Sequence, residues 1–210
     1  LEGCHFFTAQ DALPEAEGKR PPLHRSSVTA SHYALDSHAV RKREPGRIHL
    51  DGFFSHPTAV YTVPYGVMVP RRVENLLFPT AVSGSHVGFS TLRMEPCWMA
   101  LGEAAGTAAA LAADSRRNVR EIPVDSLQER LLRHGAVLVY LRDLRPGDPD
   151  YAAVQRLALR GFFPEWEAGL ERPLDASTAR LWSSLAGRGI TADGTATRRE
   201  WIRRIAMTNF

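Results

Sequence analysis

The sequence predicts an α+β fold, with short strands and one long helix followed by a small α-helical appendage. Three observations carry this. β-prone pieces at Arg47–Asp51, Tyr61–Val63 and Gly66–Val69 are cut short by Gly52, Pro64 and Pro70. A long apolar-leaning stretch begins at Pro96, a residue suited to a first helical turn because its missing N–H is no loss there. After Asp143 the chain turns through Pro146-Gly147-Asp148-Pro149 and becomes amphipathic at helical spacing. These features divide the chain into an irregular stretch over 1–24, a main unit over 25–141 and a helical appendage over 142–210.

In chain order, residues 1–24 are rich in Pro, Glu and Gly and read as a loop or the frayed remnant of a larger fold. Ser27 to Val40 shows no clean periodicity and carries His32, Asp36 and His38. Asn75–Phe78, a short apolar run bounded by turn formers, reads as a buried strand. Ala81–Phe89, with its small and hydroxyl residues and two glycines, is loop chemistry.

The helix from Pro96 runs to about Ala113, with Gly102, Gly106 and Ala110 on one stripe. Glycine costs roughly 1 kcal/mol against alanine inside a helix, so that stripe calls for a close neighbour. Asp125 is expected to cap a second helix, with Gln128 as its capping-box partner, Leu127 and Leu131 on the buried face and Gly135 at the end. Ala136–Leu141 then reads as a strand. In the appendage, Tyr151–Arg160 buries Val154, Leu157 and Ala158. Thr178-Ala179-Arg180-Leu181-Trp182 recurs in part as Thr197-Arg198-Arg199-Glu200-Trp201, each copy a helix start with a hydroxyl cap.

The composition bounds the function. Of 210 residues, 44% are hydrophobic and 23% charged, so a sizeable core needs neither disulfides nor metal. Cys4 and Cys97 are too few and too distant for a disulfide framework. The net charge of +3 is carried almost wholly by arginine, Lys19 and Lys42 being the only lysines. Those arginines are interleaved with carboxylates, which describes a solvated surface better than a nucleic-acid footprint. No stretch has the length of a membrane span, and nothing in the sequence assigns a compartment.

Five stretches carry a family resemblance in order: Ser31–His38, Val63–Pro70, Val73–Leu77, Ser83–Phe89 and Arg93–Ala109. Together they cover roughly Ser26 to Val139, and they resemble bacterial FAD-dependent oxidoreductases. The resemblance implies the C-terminal portion of a two-dinucleotide-type FAD-binding fold, with FAD as cofactor and a small molecule as substrate. It implies further that Ser83, Gly84, Ser85 and His86 of the loop, with Glu95, Pro96, Cys97 and Trp98 of the helix start, lie against the flavin. His86 and Arg93 would face substrate or the flavin ring. Two departures stand out: Pro79-Thr80 replaces an arginine-bearing pair, and Glu95 stands where a neutral residue is expected.

No G-x-G-x-x-G turn occurs in these 210 residues. The chain therefore reads as a C-terminal fragment, inactive alone, whose nucleotide-gripping part lies upstream. The tail resembles part of a surface-layer homology module, at Asp150–Phe163 and Thr197–Glu200. That leaves a non-catalytic, wall-polymer-binding or interaction module as the alternative function. His32, Asp36 and His38 make a poor ligand set, and no metal is expected. Cys97 reads as packing and the tail aromatics as core.

Overall fold

The computed structural model describes residues 2–38, 45–46, 53–192 and 194–207, leaving aside the side chains of His38 and Phe53. A short helix α1 (Ala9–Ala12) comes first. Strands β1 (Ser27–Ser31), β2 (Leu35–His38), β3 (Phe53–His56) and β4 (Tyr61–Pro64) follow as two antiparallel pairs, β1 with β4 and β2 with β3. Pro64 closes β4, Thr29 faces Val63, and Ala30 faces Thr62. A 3₁₀ turn occupies Tyr65–Met68, where the sequence predicts strand; Pro64 and Gly66 interrupt the ladder there.

Helices α2 (His86–Leu92), α3 (Glu95–Ser115) and α4 (Val124–Arg133) complete the front of the molecule. Helices α5 (Tyr151–Leu159), α6 (Ala176–Ala186) and α7 (Arg198–Ala206) form the appendage. The long helix lies as expected, with proline in its first turn and Arg116 ending it in the left-handed conformation. Leu101, Ala104, Ala108 and Ala112 form its buried stripe against β1 and the 3₁₀ turn. No helix among the described residues is long and apolar enough to cross a membrane.

Several expectations are corrected. Residues 2–24 are not frayed: Phe7 and Ala12 are fully buried. The Cys4 N–H donates to Val69 O, that of His5 to Gly66 O and that of Phe7 to Ser83 O. Asn75–Phe78 is not a strand. Asn75 takes a left-handed φ of 52° and Leu76 is 42% exposed, because charged Arg71, Arg72 and Glu74 keep this turn in water.

Asp125 lies inside α4, whose N-cap is Pro123. Gln128 turns inward and donates to the carbonyls of Arg25 and Ser27. Leu127 and Leu131 are buried and Gly135 ends the helix at φ +83°, as expected. Ala136–Leu141 forms no ladder, because a side chain takes its amides: Gln155 Oε1 accepts from both Leu138 and Val139 N–H at 2.9 Å. Arg47–Asp51 lies outside the described residues.

The Gly102/Gly106 stripe contradicts the expectation of a close neighbour. Gly106 is exposed, and a Cβ on either glycine would meet nothing within 4 Å. The tight glycines are elsewhere. A Cβ on Gly84 would stand 2.9 Å from Phe7 O, and one on Gly88 only 2.3 Å from it.

The appendage is continuous with the front core. One hydrophobic cluster runs from Phe7 through Leu101 and Leu138 to Trp182 and Ile205. Gln155 Nε2 donates to Val139 O, and Tyr151 Oη to Ala136 O. Arg20 reaches across from the N-terminal segment to the carbonyls of Glu165 and Tyr140 and stacks 4.1 Å from the Trp166 ring centroid. Burial, with nearby Arg142, pulls its pKa down to about 10, so it remains charged at neutral pH.

Trp182 is fully buried and donates to Phe162 O. By area that burial contributes about 4–6 kcal/mol. Trp201 is only half-buried. Thr197 caps α7 with a full capping box, as expected. Asp175, not Thr178, caps α6, because Thr178 falls in the first turn, where its N–H is what needs the acceptor.

Arg199 is held within the appendage by carboxylates. Its guanidinium lies 2.9 Å from Asp148, 2.6 Å from Asp150 and 2.7 Å from Glu171, while Arg203 holds Asp150 from the other side at 2.9 Å. Arg180 is exposed on α6.

Two measurements test this packing. Gly88→Ala should destabilise by about 1–3 kcal/mol, since backbone must shift, whereas Gly106→Ala should stabilise by about 0.5–1 kcal/mol. Denaturant melts read both, and equal signs would contradict the structure.

Hydrogen bonds from Arg199 and Arg203 hold the Asp148 and Asp150 carboxyls below their ordinary range. Depressed carboxylates stabilise above their unfolded value, about 4, and lose that contribution as pH falls through the folded value. Arg199→Ala should therefore cost about 1–2 kcal/mol at neutral pH, given solvent screening. The difference from wild type should shrink toward zero below about pH 4. A difference that persists in acid would contradict the ion-pair reading.

Candidate functional site

The loop before α2 is shaped by the chain it carries. Phe7 and Gly84 form a parallel bridge, and Ser85 N–H donates to Phe7 O. The Ser85 hydroxyl accepts from Gly88 N–H at 2.9 Å and so caps α2. α2 thus begins at His86, inside the stretch expected to be loop, because Ser85 supplies the cap that glycine-rich loop chemistry concealed. Gly84 and Ser85 are committed to this packing.

Ser83 is different: it is fully buried and its Oγ has no hydrogen-bond partner. Buried hydroxyls are nearly always paired, and Ser83 is an exception to that rule.

The two residues expected to face substrate or the flavin ring, His86 at the start of α2 and Arg93 at its C-cap, both reach β2. His86 Nε2 lies 2.7 Å from Ser37 Oγ, and Arg93 Nη2 donates to Asp36 Oδ2 at 3.0 Å. The Asp36 backbone N–H donates to Ser90 Oγ, and Tyr33 Oη lies 3.5 Å from the Asp36 carboxylate. Asp36 is thus joined to Arg93 across 57 positions of sequence. His32 is exposed apart from them, and the His38 side chain is outside the described residues.

At the start of α3, Met94 is the N-cap and offers no side-chain cap. Glu95 and Pro96 are exposed. Trp98 Nε1 is buried without a partner. Cys97 is 5% exposed, and burial pushes its thiol up, against a smaller pull from Ser31. A raised thiol is a poor nucleophile, which agrees with Cys97 as a packing residue. Beneath them, Tyr61 Oη bonds the Thr91 hydroxyl at 2.8 Å and the Thr91 carbonyl at 3.0 Å, fastening β4 to the end of α2.

Residues 1–131 match the family of FAD dependent oxidoreductases. The chain belongs to this family. No curated protein and no solved structure matches it. The family match begins at residue 1, so the buried N-terminal segment is part of the oxidoreductase region and not an addition to it. FAD binding is the property of the family. The residues here include two buried donors without hydrogen-bond partners, Ser83 Oγ–H and Trp98 Nε1–H. They also provide the uncapped first turn of a 21-residue helix, where N–H groups and the helix dipole favour an anionic edge.

A second cluster escaped the sequence reading. His5 Nε2 and His24 Nε2 stand 3.1 and 2.9 Å from the same Asp11 oxygen. Its members are 6 and 13 residues apart, a spacing with no motif to flag it, and they meet only because the N-terminal segment is packed.

Ser83→Ala provides a test with an unusual sign. Removing an unpaired buried hydroxyl should leave stability unchanged or raise it by up to about 1 kcal/mol. A thermal melt showing a loss above about 1 kcal/mol would mean that the hydroxyl is paired within the chain.

Proposed function

We propose that this chain supplies the flavin-ring and substrate side of an FAD-dependent oxidoreductase, with the nucleotide-gripping turn contributed by a segment outside these 210 residues. What carries the proposal is membership of this family together with two buried side-chain donors that have no hydrogen-bond partner, Ser83 Oγ and, in the first turn of α3, Trp98 Nε1. The flavin supplies hydride transfer at its N5. The chain's own residues orient and polarise. Ser83 Oγ and Trp98 Nε1 would donate to polar atoms of the bound ring. The first turn of α3 favours negative charge near it. Arg93, held by Asp36, presents a guanidinium on the substrate side, and His86, steadied by Ser37, offers a neighbouring ring nitrogen. Exposed Glu95 stays in water, where its carboxylate does not oppose an anionic ring.

For the tail, the reading is a packing element. Arg199 is engaged by three carboxylates and so is withdrawn from any anionic polymer.

Flavin fragments test the proposal. Because only the ring end finds partners here, riboflavin and FAD should bind the purified chain weakly and within about threefold of each other. Ser83→Ala should weaken both. A chain that purifies yellow with one equivalent of FAD, or that prefers FAD by more than about a hundredfold, would overturn the assignment.

A further inference from the structure

We propose that His5, Asp11 and His24 form a binding site for one divalent transition-metal ion of the zinc class, completed by solvent. Two imidazole nitrogens and one carboxylate oxygen are the donor set such ions select, and three protein ligands leave one position open. The three donor atoms lie within 4.8 Å of one another, with the two N–O separations at 2.9 and 3.1 Å. A triangle of that size has a point at most about 2.5 Å from every corner, close to the 2.0–2.2 Å of zinc bonds. Small rotations of the two imidazoles complete the approach. The side chains are 31%, 15% and 14% exposed for His5, Asp11 and His24, which half-encloses the site and leaves a path for solvent.

The surrounding hydrogen bonds set up these donors. Asp11 Oδ2 accepts from the Thr8 N–H at 2.7 Å and from the Thr8 hydroxyl at 3.0 Å, which turns Oδ1 toward the two rings. The Thr62 hydroxyl donates to Pro22 O, and Thr62 Oγ1 also accepts from the His24 N–H. Thr62 O and Oγ1 therefore face His24 Nδ1, at 3.2 and 2.9 Å, as acceptors. Nδ1 carries the proton, so in the neutral ring Nε2 directs a lone pair at a carboxylate oxygen. A cation between them resolves that opposition, and the carbonyl behind Nδ1 is the outer partner that metal-bound histidines use. The site shares no residue with the flavin assignment and stands without it.

The test uses the full chain without a histidine tag, stripped with chelator and titrated with Zn²⁺ by calorimetry. One equivalent should bind, and excess Zn²⁺ should raise the melting temperature by mass action. Asp11→Asn and His24→Gln should each weaken binding by at least about 100-fold. Thr8→Ala, which only loosens Asp11, should weaken it about 10-fold. His134→Gln, at an exposed histidine, should change nothing. Should Asp11→Asn fail to fold, Thr8→Ala and the visible absorption of wild type loaded with Co²⁺ decide: intense tetrahedral bands support the site. No saturable site in wild type, a hexa-aqua-like Co²⁺ spectrum, or equal affinity in the variants would show a hydrogen-bonded His–Asp–His cluster only.

Discussion

The passage of the Phe7 backbone across Gly84 and Gly88 is the contact on which the rest of the front depends. Only glycine leaves room there, since a Cβ at either position would collide with the Phe7 carbonyl. Three consequences follow from this one approach. Phe7 fills the core against Tyr61, with ring centroids 5.5 Å apart. The loop from Ser83 to Ser85 is fixed, and with it the cap of α2 and the direction of His86 and Arg93. The residues just before and after Phe7 are carried to where His5 and Asp11 meet His24. Both candidate regions of the molecule are therefore positioned by the same backbone.

What the sequence could reveal depended on whether the signal was local. The long helix from Pro96 was legible because proline placement and a run of alanines act within a few residues. The Thr197 capping box and the buried Leu127/Leu131 face were legible for the same reason. Gln155 and Gln128 were not. Each makes its bonds to backbone groups 16 to 103 residues away, and nothing nearby marks a glutamine as an interior bracket. The apolar runs at Asn75–Phe78 and Ala136–Leu141 misled because hydrophobicity indicates burial or extension, while a ladder needs backbone groups free to pair; at Leu138 and Val139 the Gln155 side chain takes those amides. At the candidate flavin site, residue identities came from the family likeness; the division between Ser85, committed to a cap, and Ser83, left unpaired, was visible only in three dimensions.

The two glycine patterns also sort differently from their first appearance. Gly102 and Gly106 look like a packing stripe, yet a Cβ on either would meet nothing within 4 Å. Gly84 and Gly88 look like ordinary loop residues and are the ones under steric compulsion. Spacing along a helix says that two glycines share a face, but only the tertiary fold says whether that face is used.

The Gln155 bracket has a bearing on inheritance. Its amide group serves Leu138 and Val139 while its own helix belongs to the appendage, and Tyr151 reaches back to Ala136 from that same helix. A tail grafted onto another protein at residue 142 would arrive with its bracket empty and leave two amides on the donor chain without an acceptor. A break near residue 136 instead would keep the Gln155 bracket whole, but would part Val137 O and Leu138 O from the Ala30 N–H and the Ser27 hydroxyl of β1. The tail is therefore tied to the front on both sides of residue 142, and neither break yields an independent unit.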